Sequence, residues 1–109
     1  MPTYKTPIDN IRFVLHEVLD ASQLSKLPGY EEATPDIIDQ VIEEGAKICE
    51  QVLFPLNQSG DAEGCHYENG VVRTPKGFKE AYKTFCEGGW PGIGADPQYG
   101  GMGMPHMVN

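Results

Sequence analysis

The chain has 109 residues and a formal net charge of −8, from 8 basic and 16 acidic side chains. This length suits one small domain with a modest core. The excess of acid argues against a nucleic-acid partner, because that binding needs clustered Lys and Arg to displace counterions. Apolar runs such as Phe13-Val14-Leu15 are too short to span a membrane, and the N-terminus has no secretory pattern. We therefore expect a soluble, cytoplasmic protein with no nucleic-acid partner and no membrane span.

The three cysteines, Cys49, Cys65 and Cys86, are odd in number and lack C-x-x-C spacing. This pattern argues against a disulfide framework and favours a reducing compartment. Cys49 and Cys86 fall on apolar helix faces, which predicts buried structural thiols. Cys65-His66 is a poor start for a metal site, because neighbouring residues rarely both reach one ion. We expect no metal to bind.

Residues 1–33 are predicted to form a leader with one short amphipathic helix. Residues 1–7 should be extended, and apolar residues at three- and four-residue spacing predict a helix from an N-cap at Asp9 to about Asp20. A further turn of helix is expected over Ser22–Leu27. Phe13 falls on the polar side of the first helix, so it either contacts another part of a larger protein or stays half exposed.

The clearest helix is predicted over residues 34–54. Thr34 suits the N-cap, Pro35 suits the first position, and Pro55 should end the helix. Apolar residues fill half of the helical wheel, a wider face than the roughly 100° stripe of a surface helix. The helix should therefore pack against two neighbours, while its acidic half faces solvent. The side chains expected to be most buried are Ile38, Val41, Ile42, Cys49 and Val52.

Beyond this helix the sequence predicts a loop, a hairpin and a third helix. Residues 57–64 read as a polar loop. Asn69-Gly70 lies between two short β-like segments and favours a type I′ turn, which needs positive φ at both central residues. Thr74-Pro75 should start a helix with its apolar face over Phe78–Cys86, ended by Gly88 or Gly89.

The tail over residues 88–109 holds seven glycines and three prolines. Its aromatic and apolar content predicts an ordered loop rather than a linker, with packing partners elsewhere, and the chain reads as truncated. Gly100-Gly101-Met102-Gly103 lacks the spacing, preceding strand and following helix of a dinucleotide fingerprint. These glycines should instead serve the backbone conformation.

Several motifs follow one another in order between residues 34 and 105. They are Val52-Leu53-Phe54-Pro55-Leu56-Asn57, Gly60-Asp61-Ala62-Glu63-Gly64, the hairpin, Thr74-Pro75-Lys76-Gly77-Phe78, Gly89-Trp90-Pro91-Gly92-Ile93 and Asp96-Pro97-Gln98-Tyr99-Gly100-Gly101-Met102-Gly103. The succession resembles the N-terminal helical domain of acyl-CoA dehydrogenases. Tyr4-Lys5-Thr6-Pro7 resembles the leader of longer bacterial members of that family.

The resemblance implies a mainly α fold, the N-terminal helical domain of the acyl-CoA dehydrogenase fold, incomplete over residues 34–109. It implies a full-length FAD-dependent enzyme of fatty acid metabolism that oxidises acyl-CoA to 2,3-enoyl-CoA. Implied partners are the remainder of the dehydrogenase chain, an electron-transferring flavoprotein and further copies in a homo-oligomer.

The same resemblance leaves this chain without a catalytic or flavin-binding residue, because the family places both in later domains. We therefore expect the fragment alone to be inactive and to bind no FAD. Tyr99, Gly100 and Gly101 are expected near the approach to the substrate pocket. The alternative, from another functional class, is a free-standing helical protein-interaction module.

Overall fold

Helices account for most of residues 3–109, the part of the chain that a computed structural model describes. The regular elements are α1 (Ile8–Arg12), a π-helical turn (Phe13–Val18), a 3₁₀ segment (Ala21–Lys26), α2 (Pro35–Lys47), a second π-helical segment (Ile48–Leu53), α3 (Phe54–Glu63), β1 (His66–Glu68), β2 (Val71–Arg73) and α4 (Phe78–Glu87). Three 3₁₀ turns follow in the tail, at Trp90–Gly92, Pro97–Tyr99 and His106–Val108. The predicted mainly α fold with one short hairpin is confirmed. None of the helices in residues 3–109 is long and apolar enough to cross a bilayer.

The leader helix starts two residues earlier than predicted. Pro7 occupies the cap position and Asp9 lies inside the first turn, where its charge complements the helix dipole. The prediction that residues 1–7 are extended is confirmed for residues 3–7, while Met1 and Pro2 lie outside the described residues. The expected further turn of helix is present as the 3₁₀ segment.

Helix α2 begins as predicted. Thr34 caps it, with the Thr34 hydroxyl accepting a hydrogen bond from the Ile37 amide at 3.4 Å, and Pro35 fills the first turn, where its missing N–H costs nothing. Asp36 adds a negative charge beside the positive end of the dipole.

The prediction that Pro55 ends the helix is wrong. The backbone stays helical through Ile48–Leu53, where the turns widen to the π-helical pattern, and then returns to α-helix in α3. The change of hydrogen-bond register makes Pro55 a first-turn residue of α3, where no donor is needed. The predicted loop over residues 57–64 is therefore helical as far as Glu63. Gly64, with φ of 69°, ends the helix.

The core is small and centres on Ile38, which is fully buried against Leu15 and Ala21. Its high burial confirms the prediction for this residue. The other expected core residues of this helix are only half-buried. They are Val41, Ile42, Cys49 and Val52.

Incomplete burial follows from the shape of the molecule. The chain measures 54 × 37 × 17 Å, with a radius of gyration of 17.1 Å, whereas a compact domain of this length would have about 13 Å. The accessible surface is 8042 Å², against about 6,000 Å² for a compact monomer of this mass. A slab this thin leaves its broad apolar helix faces only partly covered, although α2 contacts both α1 and the His106–Val108 turn of the tail.

The hairpin confirms the turn prediction. Tyr67 pairs with Val72 in the antiparallel register, and Asn69 and Gly70 adopt φ of 51° and 79°, as a type I′ turn requires. Gly88 ends α4, also as predicted.

The predicted start of the third helix at Thr74-Pro75 is wrong. The cap residue of α4 is Gly77, with φ of 90°, and the preceding residues form a turn closed by the Phe78 amide and the Pro75 carbonyl at 3.2 Å. The left-handed bend at Gly77 lets the chain pass close to Leu56 before the helix begins.

The tail is an ordered loop, as predicted. Backbone hydrogen bonds of 2.9 Å run from Met102 to Gly92 and from Met104 to Ile93, closing the loop at its base. Trp90 lies beside this base and is the only tryptophan of the chain.

We predict that Ile38→Ala lowers the free energy of unfolding by about 2–5 kcal/mol, because it leaves a cavity in the core. The matched control is Ile37→Ala, one residue away, where 37% of the side chain is already exposed; its cost should stay below about 1 kcal/mol. Urea unfolding followed by circular dichroism measures both. Equal losses in the two variants would contradict the proposed core.

We also predict that Gly101→Ala destabilises the tail loop by about 1–3 kcal/mol. A Cβ at this position would lie 2.1 Å from the Ala95 carbonyl oxygen, whereas one at Gly92 would lie 3.7 Å from its nearest neighbour. Gly92→Ala is therefore the control. Thermal unfolding followed by Trp90 fluorescence checks the difference, and a Gly101→Ala protein as stable as the control would refute the close approach.

Candidate functional site

The predicted site residues lie at the tip of the tail loop. The Asp96 carboxylate accepts a hydrogen bond from the Gln98 amide at 2.8 Å and so caps the turn that carries Tyr99. Gly100 follows with φ of 86°, which reverses the chain. Tyr99 is left 82% exposed, a large value for an aromatic residue on an ordered loop. The predicted place of Tyr99, Gly100 and Gly101 near the approach to a substrate pocket stays a prediction.

The glycine-rich part of the loop bonds to itself. Its amides donate to carbonyls of residues 92–97 at 2.9–3.1 Å: Gly100 to Pro97, Gly101 to Asp96, Met102 to Gly92 and Gly103 to Ala95. A phosphate-binding loop needs such amides free. The loop therefore does not fit the diphosphate of FAD, and the backbone role predicted for these glycines is confirmed.

A cavity of 630 Å³ lies between α2 and the base of the tail loop. Val41, Ile48, Trp90, Ile93 and Met102 give it an apolar floor, and amide and hydroxyl side chains line part of its rim. Met102 follows directly after the predicted site residues. The cavity is thus the concave surface closest to them in sequence, and its volume is typical of small-molecule sites.

The one basic side chain at this cavity is already paired. Lys47 Nζ lies 2.5 Å from the Glu44 carboxylate, and this hydrogen bond, together with the carboxylate charge, raises the pKa of Lys47. The amine is thus held protonated at neutral pH and cannot serve as a general base.

A second cavity, of 420 Å³, is an open groove between α3 and α4. Its lining is almost wholly apolar: Leu53, Leu56, Asn57, Phe78, Ala81, Tyr82 and Phe85. We call it the α3/α4 groove. The groove does not follow from the sequence, because residues 57–64 are predicted to be a loop, although Leu53 and Leu56 already have helical spacing.

Tyr82 stands at the edge of this groove and is 67% exposed. A side-chain hydrogen bond with Cys86 and repulsion from the charge of the Cys86 thiolate raise the pKa of Tyr82. The phenol therefore stays neutral at physiological pH. Cys86 is exposed, so the prediction that it is buried is wrong: Ala81 and Phe85, not Cys86, take the inner side of α4.

A polar cluster joins α1 to α2. Arg12 forms ion pairs with Glu43 and, at 3.4 Å, with Asp39, while His16 Nε2 lies 2.7 Å from the same Asp39 carboxylate. The acidic half of α2 was expected to face solvent only. That interpretation is wrong for these two carboxylates, because the leader helix packs across them.

The leader strand contacts the second π-helical segment. Glu50 accepts a hydrogen bond from the Thr6 amide at 2.8 Å, and Lys5 lies 3.9 Å from the other carboxylate oxygen. The rings of Tyr4 and Phe54 lie 6.1 Å apart, within the range of favourable aromatic contacts. These contacts position residues 3–7 along the helix that crosses Pro55.

The cysteines and histidines do not converge. Cys65 is exposed, and Cys49 is only half-buried, so the prediction that Cys49 is a buried thiol is wrong. Within residues 3–109, no group of three His, Cys, Asp or Glu side chains lies close enough to hold a metal ion.

Comparison with known proteins finds sequence similarity to two acyl-CoA dehydrogenases. It is 35% identical over 106 residues to 3-methylmercaptopropionyl-CoA dehydrogenase of Ruegeria pomeroyi, a match that covers 97% of this chain and 18% of that protein. It is 36% identical over 90 residues to butyryl-CoA dehydrogenase of Syntrophomonas wolfei, covering 79% of this chain and 15% of that protein. No protein-family model matches the sequence. The chain spans less than a fifth of either relative, and over that stretch it is similar to acyl-CoA dehydrogenases.

Proposed function

We propose that this chain is the N-terminal helical part of an FAD-dependent dehydrogenase that oxidises an acyl-CoA thioester to the 2,3-enoyl-CoA. The observation that carries the proposal is the match of 97% of the chain to an acyl-CoA dehydrogenase at 35% identity. Oxidation removes two hydrogens from the acyl chain. The flavin accepts them, and an electron-transferring flavoprotein takes the electrons onward.

In this proposal residues 1–33 are a leader and residues 34–109 begin the helical domain. The flavin site and the catalytic base belong to the rest of the dehydrogenase. Two observations support this division. The chain spans only 18% and 15% of its relatives, and the amides of its glycine-rich loop are already bonded to internal carbonyls.

Tyr99, Gly100 and Gly101 form part of the approach to the substrate pocket. The support is geometric: the loop is closed at its base, and its tip presents one exposed aromatic side chain. A tyrosine held in this way can pack on a ligand without a large loss of side-chain entropy. The apolar cavity behind Met102 lies on the same loop.

The whole enzyme works in the cytoplasm, in fatty acid metabolism, as a homo-oligomer. The surface in excess of that of a compact monomer supports contact with further protein, either the remainder of the chain or another subunit. The relatives act, by their names, on butyryl-CoA and on 3-methylmercaptopropionyl-CoA, both short acyl thioesters. Short acyl-CoA thioesters are therefore the first substrates to test.

We predict that the purified 109-residue chain neither binds FAD stoichiometrically nor oxidises acyl-CoA. A general base needs a carboxylate held in a water-poor pocket, and no carboxylate of residues 3–109 is buried. The test mixes the chain with FAD, an artificial electron acceptor, and either butyryl-CoA or 3-methylmercaptopropionyl-CoA. The Ruegeria pomeroyi enzyme serves as the positive control.

One result would contradict the proposal that the catalytic base lies outside this chain. That result is turnover above the no-protein control that is lost when one glutamate of this chain is replaced. A helical interaction module without enzymatic context predicts the same inactivity. Expression of the full open reading frame distinguishes the dehydrogenase proposal from the interaction module. The dehydrogenase proposal predicts a product that carries FAD and oxidises a short acyl-CoA. A product with neither property would refute that proposal.

A further inference from the structure

The hairpin carries no buried residue. Every residue from 65 to 74 is exposed, so neither face of the two strands is covered. Its polar links to α3 lie at the base, where His66 Nε2 is 2.9 Å from the Glu63 carbonyl oxygen and the Lys76 amide donates to the Glu63 carboxylate at 3.0 Å. An isolated two-stranded hairpin is only marginally stable in water. The turn at its tip can therefore open without disturbing the core.

That turn places an asparagine directly before a glycine. Asn69 has a φ of 51°, in the left-handed region that Asn tolerates better than most residues do. A Cβ added to Gly70 would have no neighbour within 4 Å, so the tip projects into solvent. The backbone hydrogen bonds of residues 3–109 include none that the Gly70 amide donates. The nitrogen of Gly70 is thus accessible and unpaired.

Asparagine is a thermolabile residue, because the nitrogen of the next residue can attack its side-chain carbonyl carbon. A glycine in the next position has no Cβ to hinder that nitrogen. Asn10 and Asn57 are also exposed, but each lies in a helix. The residues that follow them, Ile11 and Gln58, carry large side chains. The Ile11 amide also donates to the Pro7 carbonyl at 3.0 Å, which holds it away from such an attack.

We propose that Asn69 is a site of spontaneous deamidation, with the Gly70 nitrogen as the nucleophile. A bond forms between this nitrogen and the Asn69 side-chain carbonyl carbon, the bond from that carbon to the side-chain nitrogen breaks, and ammonia leaves with the proton of the Gly70 amide. Water then opens the cyclic imide at either carbonyl, which gives an aspartyl or an isoaspartyl residue at position 69. The reaction consumes water and no other reagent. It does not depend on the proposed dehydrogenase activity.

The two products should differ in their effect on the hairpin. An aspartyl residue before glycine still suits a type I′ turn, so this product adds one negative charge to the net −8 and keeps the strand pairing. The isoaspartyl linkage runs the backbone through the side-chain carbon and lengthens it by a methylene, so the two-residue turn no longer fits its strands. The pairing of Tyr67 with Val72 is then lost, which loosens the connection between α3 and α4.

Peptide mapping of the purified chain, after incubation at mildly alkaline pH, tests the proposal. We expect position 69 to gain about 1 Da, at a rate at least about tenfold higher than at Asn10 and Asn57, because the amides that follow those two residues are hindered. An isoaspartyl methyltransferase should label the same peptide. Equal rates at the three asparagines, or an unchanged Asn69, would overturn the proposal.

Asn69→Gly is the matched control variant. It removes the carboxamide and keeps a dipeptide that the type I′ turn accepts, so it should retain the hairpin and show neither the mass gain nor the methylation. Nuclear magnetic resonance of the chromatographically separated products gives a second readout. Cross-strand contacts between Tyr67 and Val72 should persist in the aspartyl product and in the variant, and be absent from the isoaspartyl product. Their persistence in the isoaspartyl product would contradict the proposed effect on the hairpin.

Discussion

The continuity of the helix across Pro55 is the constraint on which the rest of the structure depends. A proline inside a regular α-helix removes a hydrogen bond and clashes with the preceding turn. Here the wider turns of Ile48–Leu53 reset the hydrogen-bond register, so that one helical rod runs from Pro35 to Glu63. Its first half holds the leader helix, and its second half meets α4. Without the continuation beyond Pro55 there would be no α3/α4 groove, because Leu56 and Asn57 form one of its sides.

Apolar and polar contacts together hold the leader helix against this rod. Ile38 anchors the leader through burial against Leu15 and Ala21, while Arg12 and Asp39 set the register of the two helices at the surface. Partly exposed ion pairs contribute at most about 1 kcal/mol each, so burial supplies the larger share. The small size of the core also explains the thin shape. A core this small holds the elements in place but leaves wide apolar faces exposed, which other protein can cover. That is the behaviour expected if the chain is part of a larger protein, as proposed above.

The sequence predicted those features of the fold that depend on a few neighbouring residues. The Thr34-Pro35 start, the Asn69-Gly70 turn and the burial of Ile38 follow from capping, backbone and periodicity rules. The order of the motifs predicted the similarity to acyl-CoA dehydrogenases. The errors at Pro55 and at Thr74-Pro75 share one cause, which is that a neighbouring backbone feature outweighed a familiar local signal. Pro55 was treated as a stop because no sequence rule announces a π-helical segment, and Thr74-Pro75 was treated as a cap although Gly77 makes the bend. The groove followed from neither motif, because it exists only once α3 and α4 lie side by side.

The central claim is that the helix continues through Pro55, and hydrogen exchange of the individual backbone amides tests it most directly. In a continuous helix the amides of residues 59–64, including that of Gly64, which donates to Gly60 at 2.8 Å, should be protected. We expect them to exchange at least about tenfold more slowly than the exposed turn at residues 29–32. Exchange of residues 59–64 at the rate of that turn would show that the helix stops at Pro55, and would remove the groove with it.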